Sequence, residues 1–260
     1  MKRLLGIGAL VACGALVVAV PTVGGRAQGF LVKVDNLILS GDGGFAPRKL
    51  PRRAFAPIDF VGHANVDSVD GSIPAPLRQI TVDFDRDGRL STRGLPTCDP
   101  ALLQAATVEE ARAICARAVV GTGHVEALIA REGQAPTPVR SALTLFNGPS
   151  QEGRPTVILH ARTTEPAEQV LAITIPIERH RGAFRYRATV ILPSIAAGRG
   201  ALTHIDVDIG RRYRFGGKRR SYVSARCSDG VLSTHGYFAF AAEPIDTIIS
   251  GAVEKPCTAR

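Results

Sequence analysis

The 260 residues contain no tryptophan and one methionine, and lysine is scarce, five Lys against 27 Arg. Little Lys beside abundant Ala and Gly reads first as the coding bias of a GC-rich genome, and only second as selection for guanidinium chemistry. The short signatures of catalysis are missing too. There is no Gly-x-Ser-x-Gly elbow, no His-Glu-x-x-His, no Ser-x-x-Lys and no Walker loop, so no familiar hydrolase or nucleotide site announces itself. A triad assembled from distant positions would leave no local trace. Repeats, low-complexity tracts and convincing linkers are also absent. The Pro-rich stretch 46–57 reads as an extended segment crossing the sheet.

What is present describes a globular chain, 45% hydrophobic and 21% charged. Met1-Lys2-Arg3, an apolar run from Leu4 to Val20, Pro21 and then Gly25-Arg26-Ala27 have the layout of a secretory signal peptide cut before Gln28. That assigns 1–27 to targeting and 28–260 to one domain with no membrane span in the mature form. Two rivals are an uncleaved anchor, since seventeen apolar residues approach the length of a span, and lipidation at Cys13 within Leu10-Val11-Ala12-Cys13-Gly14. The apolar run continues past Cys13 where a polar tether is expected, so Cys13 reads as a passenger. Net charge is +9, and loss of Lys2, Arg3 and Arg26 leaves +6. A charge that modest suits anionic surfaces rather than a dedicated nucleic-acid grip.

Four cysteines remain: Cys98, Cys115, Cys227 and Cys257. An even number in an exported chain points to disulfides. Three pairings exist, of which the local one, Cys98 with Cys115 and Cys227 with Cys257, is the simplest. Each would contribute on the order of 3 kcal/mol in the chain-entropy treatment. A zinc site normally shows closer pairs than seventeen positions.

The dominant period is two. Gln79 to Asp85 alternates strictly, Leu171 to Ile177 places large apolar residues at odd positions, and Ile205, Val207, Ile209, Tyr213 and Phe215 share a face opposite His204, Asp206, Asp208, Arg212 and Arg214. Further strands are expected near 30–40, 56–65, 118–130, 141–147, 156–162, 219–227 and 233–240. Gly and Pro clusters at 41–44, 147–149, 197–200 and 215–218 punctuate them. About ten short strands make an all-β antiparallel β-sandwich. One segment differs. Thr107 and Glu110 form a capping box opening a helix near 108–117, with Ala111, Ile114 and Cys115 as its inward stripe.

Three patterns could carry function. Asp83-x-Asp85-x-Asp87-Gly88, with Ser91 beyond, opens like a calcium loop, but Gly94 stands where a closing Glu belongs. A strand ending in an Asp87-Gly88 hairpin turn explains every residue equally. His204, Asp206 and Asp208 lie on one strand face, about 7 Å apart in steps of two, which is a wide spacing for one ion. Arg211, Arg212, Arg214, Lys218, Arg219 and Arg220 surround Gly216-Gly217. Folded as a hairpin they would present a basic tip to anionic envelope polymer or lipid headgroups.

The stretches Lys49-Leu50-Pro51, Asp70-Gly71-Ser72, Gly94 to Cys98, Ala111 to Cys115, Val120 to Gly123, Leu145 to Gly148 and Tyr213 to Asp229 together resemble a family of uncharacterised exported proteins of high-GC bacteria. The resemblance implies export and a single domain, and supplies neither an activity nor site residues. The expectation is therefore a non-enzymatic envelope or extracellular protein without a cofactor, contacting anionic material through its basic hairpin. The rivals are a secreted hydrolase and a calcium-stabilised adhesion or carbohydrate-binding module.

Overall fold

The structure, a computed structural model, describes residues 29–164, 168–242 and 246–260. The signal peptide assigned to 1–27, with its Cys13 lipobox, lies outside the described residues. The elements in chain order are β1 (Phe30–Val34), β2 (Leu37–Ala46), β3 (Lys49–Leu50), β4 (Ala56–Pro57), β5 (Asp59–Ser68), β6 (Leu77–Asp85), β7 (Gly88–Leu90), α1 (Val108–Ile114), β8 (Val119–Arg131), β9 (Gln134–Gln151), β10 (Arg154–Thr163), β11 (Gln169–Arg179), β12 (Phe184–Ile191), β13 (Gly200–Ile209), β14 (Arg212–Phe215), β15 (Lys218–Ser221), β16 (Val223–Ala225), β17 (Val231–Phe240), β18 (Thr247–Pro256) and β19 (Thr258–Ala259).

Twelve strands form one sheet in the order β1-β2-β5-β13-β8-β9-β10-β11-β12-β6-β17-β18, and its first strand lies against its last. The all-β antiparallel class with one short helix is as the alternation predicts. Hydrogen bonding is continuous through the twelve strands, so the facing layers belong to one nearly closed sheet. Register decides what points inward, because residues directly opposite share a face. Ile205 stands opposite Ala64 and Val125, Val157 opposite Ile175, and Ile80 opposite Val190 and Phe238. These residues make up the interior, while His63, His124 and Asp206, also mutually opposite, lie outside.

Two predicted turns are strand. Gly41 to Gly44 lies within β2, and 147–149 within β9. In β2 the glycines serve close packing: the Phe30 ring lies where Cβ atoms at Gly41 and Gly251 would stand, a use of strand glycine distinct from turning. The turn comes earlier, at Asp35-Asn36, where Asp35 has φ 50°. β18 was not expected. Its inward positions are Ile249, Gly251, Val253 and Lys255, and a glycine and a cation dilute the apolar signal.

Residues 95–118 cover the outer face of β9 and β10 and build a second small core there. Leu103, Ala106, Ala111 and Ala118 pack on Phe146 and Ile158 beside the Cys98–Cys115 bridge. The capping box forms as predicted: Glu110 N donates to Thr107 Oγ1, and Thr107 N to the Glu110 carboxylate. The stripe is offset. Ile114 is 55% exposed, and Val108, Ala111 and Cys115 are buried. At 100° per residue Ile114 falls about 90° from the middle of that stripe. Helix α1 ends at Ile114, and Cys115 bonds to Cys98.

The other bridge, Cys227–Cys257, lies at one end of the sheet. There the three-stranded β4-β16-β7 sheet and the parallel β3–β19 pair form a cap over Phe45, Leu50, Ile58, Ala225 and Leu232. Both disulfides follow the local pairing and fit an oxidising compartment. Among the described residues no helix is long and apolar enough to cross a membrane.

Candidate binding cavity

The three aspartates of the calcium-like run are each held by protein donors, in different directions. Asp83 takes a bidentate pair from Arg187 at 2.7 and 2.6 Å, which holds the Arg187 guanidinium more firmly protonated. Asp85 accepts from Asp87 N, and from Ser233 N and Oγ. Asp87 is fully buried and accepts from Arg226 Nε at 2.7 Å and Ser228 N at 2.8 Å. Desolvation pushes its acidity the other way, but these bonds prevail and hold the carboxyl below its ordinary range. Ser91 stands apart; its N donates to Tyr222 O and its carbonyl accepts from Tyr213. Among the described residues no three His, Cys, Asp or Glu side chains converge as a metal shell. The turn falls one residue before the expected Asp87-Gly88 pair, at Arg86-Asp87, with Gly88 already in β7, and β7 does not return along β6. Both flanks of β6 are taken by β12 and β17, so β7 pairs with β16 in the cap.

The basic run is a hairpin. β14 and β15 pair antiparallel around Gly216 and Gly217, whose φ values of 59° and 73° suit a two-residue turn. Its cations have unequal roles. Arg212 binds Asp59 at 2.7 and 3.0 Å and the Gly210 carbonyl, and so fixes the hairpin to β5. Arg220 stacks over Phe215, with Arg93 on the same ring, and Tyr213 donates to the Ser91 and Arg93 carbonyls. Arg211 is half-buried, its Nε without a partner among the described residues. Arg214 and Arg219 stand directly opposite one another and, like Lys218 at the tip, are exposed. The expected common face of Ile209 and Phe215 is broken at Gly210-Arg211, where β13 ends and the hairpin turns out.

A second basic cluster escaped sequence reasoning. The guanidinium carbons of Arg89, Arg185 and Arg226 lie 5.5, 5.2 and 5.3 Å from the Phe55 ring centre. They come from three strands or loops far apart in sequence, and no local pattern marks them. On the outer face of β13, His204 Nε2 is 3.3 Å and His124 Nδ1 3.6 Å from the Asp206 carboxylate, and His204 Nδ1 is 2.6 Å from Asn65 Oδ1. Asp208 is exposed and apart from them.

The interior holds a cavity of about 330 Å³ toward the capped end. Its wall is almost wholly apolar: Phe60, Phe84, Leu159, Ile175, Val207 and Val253 are among its residues, and every strand of the large sheet except β8 contributes. Several polar side chains interrupt it, His63, Arg89 and Thr234 among them. Tyr222, only 3% exposed, lines the cavity. No described residue hydrogen-bonds its hydroxyl, and burial pushes the phenol well above its usual range. Lys255, 7% exposed, places its ammonium 2.6 Å from Asp42 Oδ1. Asp42 lines the same cavity and also accepts from Gly43 N. Burial raises the Asp42 carboxyl, but the bonds from Lys255 and Gly43 outweigh it and leave it below its ordinary range. Asp85 and Ser233 complete the polar rim at this end.

Sequence reasoning found the strands that build this wall but not the cavity. Lys255 carried no signal, because a lone lysine near a strand end is usually a solvated one. No family model matches the chain, and no curated protein or solved structure matches it.

Proposed function

We propose that this is an exported, non-enzymatic protein that holds one apolar small molecule inside its nearly closed sheet. The observation that carries this is the cavity. Its 330 Å³ is about twice the volume that suffices to hold benzene in a dry protein interior, and it falls within the size range of ligand pockets. An apolar wall without contents forfeits dispersion contacts on one side, and a bound apolar molecule would restore them. The disulfides support an oxidising location, and the secretory layout of residues 1–27 supports export.

The test is saturable binding of a neutral fluorescent probe, N-phenyl-1-naphthylamine, to protein stripped of lipid with organic solvent. Wild type should show a single site. Ala188 lines the cavity and faces inward beside Ile177. Ala188→Phe should weaken binding by roughly ten-fold or more, about 1.4 kcal/mol, without lowering the melting temperature. Probe binding unaltered in that variant would place the site elsewhere.

A second reading, contact with anionic envelope polymer or lipid headgroups through the basic hairpin, is favoured by Arg214 facing Arg219. Like charges directly opposite repel, and a bound anion relieves that repulsion. Charge reversal at Arg214, Lys218 and Arg219 should release the protein from vesicles containing phosphatidylglycerol; retention would rule the hairpin out. Arg212 is unsuitable for this test, since reversing it breaks the Asp59 pair.

A further inference from the structure

The cavity wall is apolar except at one end, and there it carries a buried cation at a gap in the sheet. β1 pairs with β2 only from Leu37 to Gly41. From Asp42 to Ala46, β2 pairs with β5 on one side, and among the described residues it has no ladder on the other. Among the described residues β18 likewise has a ladder only with β17. Across this seam reaches the Lys255–Asp42 ion pair, with the Phe30 ring beside it at Gly41 and Gly251. The partners are unequally placed. The Lys255 side chain is 8% exposed and that of Asp42 is 39% exposed. The lysine charge is thus fixed at the cavity and must be matched by an anion. The aspartate can turn to water, where His63, its cross-strand neighbour on β5, is also exposed.

We infer that the molecule this cavity takes is a single-chain amphiphile with a carboxylate head, which replaces Asp42 on Lys255 while its chain lies along the apolar wall. The inference rests on the cavity reading above. Exchange of one carboxylate for another keeps the buried ammonium matched by an anion throughout. The seam between β2 and β18 gives the chain a lateral path, because opening it breaks side-chain contacts and no described ladder. Asp42 is then a placeholder, and the Phe30 ring marks the upper limit of the opening.

The test compares dodecanoic acid with 1-dodecanol, which share a chain and differ in the head, by calorimetry on the full secreted chain. Wild type should favour the acid by on the order of ten- to a hundred-fold, the range of a charge-assisted hydrogen bond. Lys255→Met should bring the two to parity with alcohol binding retained. Asp42→Asn removes the competing carboxylate and should tighten acid binding several-fold. It leaves Lys255 in place, and so serves if Lys255→Met fails to fold. Equal binding of acid and alcohol by wild type, or acid binding unchanged or weakened in Asp42→Asn, overturns the assignment of Lys255 and leaves the cavity reading standing. Binding of neither compound overturns the cavity reading, and this inference with it.

Discussion

The two ends of the nearly closed sheet are built from different materials. At one, Leu37, Leu39, Leu202, Phe240 and Ile249 fill the interior. At the other, the apolar wall stands back around a cavity and the structure is tied by polar pairs: Asp83 with Arg187, Asp87 with Arg226, Asp42 with Lys255 and Asp85 with Ser233. A cap and a disulfide close over them. Where side chains leave space, fewer dispersion contacts hold the strands together, and buried ion pairs with a covalent tie hold the shape instead. Buried pairs contribute little net stability against apolar replacements, but they are costly to break singly. The capped end is thus tolerant of added volume and intolerant of lost charges, and the packed end the reverse.

The largest expected effect is at the packed end. Phe240 is fully buried, and Phe240→Ala should cost about 3–5 kcal/mol in denaturant unfolding. A loss below 1 kcal/mol would mean that this end is not packed as described. Next comes the capped end's charge: Asp87→Ala leaves the Arg226 guanidinium, partly shielded from water, without its carboxylate. The expected loss is roughly 3 kcal/mol. Added calcium should leave the melting temperature of the wild type unchanged, because the neighbouring carboxylates are occupied by Arg187, Ser233 and Arg226. A calcium-dependent rise would revive the metal reading of Asp83, Asp85 and Asp87. Smaller, but the most direct contrast, is added volume at two places. Val66→Phe overfills the packed end, where Val66 is 3% exposed and opposite Leu39, and should cost about 1–3 kcal/mol. Ala188→Leu enters the cavity and should be neutral or stabilising. If both destabilise alike, the two ends are equally full.

How far the sequence foretold this follows from which signals are local. Alternation in Gln79–Asp85 and Ile205–Ile209 is written in single strands, and so the all-β class could be read directly. Thr107 and Glu110 sit three apart, and so the helix start could be read as well. Closure could not, because nothing in β1 or β18 separately says that they meet. The glycines at 41–44 look like a turn until the Phe30 ring is seen to need the room. Likewise Asp83, Asp85 and Asp87 form a motif only along the chain. In space their partners are Arg187, Ser233 and Arg226, about 100 to 150 positions away, and partners at that range decide whether a carboxylate is a ligand or a tie. Phe55 with its three arginines and Lys255 at the seam are products of the same long-range assembly.

The outer pad over β9 and β10 offers the finest test, because it resembles the packed end in being apolar yet encloses a titratable group. His160 is fully buried between Phe146 and residues 103–106. Its Nε2 lies 3.2 Å from the Ala106 carbonyl, and its Nδ1 has no partner among the described residues. Burial, aided by the nearby Arg162 charge, holds the imidazole below its ordinary range, against the raising effect of the Ala106 and Leu103 carbonyls. The folded state therefore keeps His160 neutral where the unfolded chain takes up a proton. Above the ordinary value of about 6.5 neither state is protonated and the full stability is present. As pH falls through that value the unfolded state gains a proton first, and stability falls toward the lower folded value, by at most ~1.4 kcal/mol per pH unit for one proton. His160→Gln keeps a donor for the Ala106 carbonyl and removes the titration, so its stability between pH 7 and pH 5 should decline less steeply than that of the wild type. Superimposable profiles would mean that the pad opens to water under these conditions, and that only the two ends of the sheet, not its outer layer, are held shut.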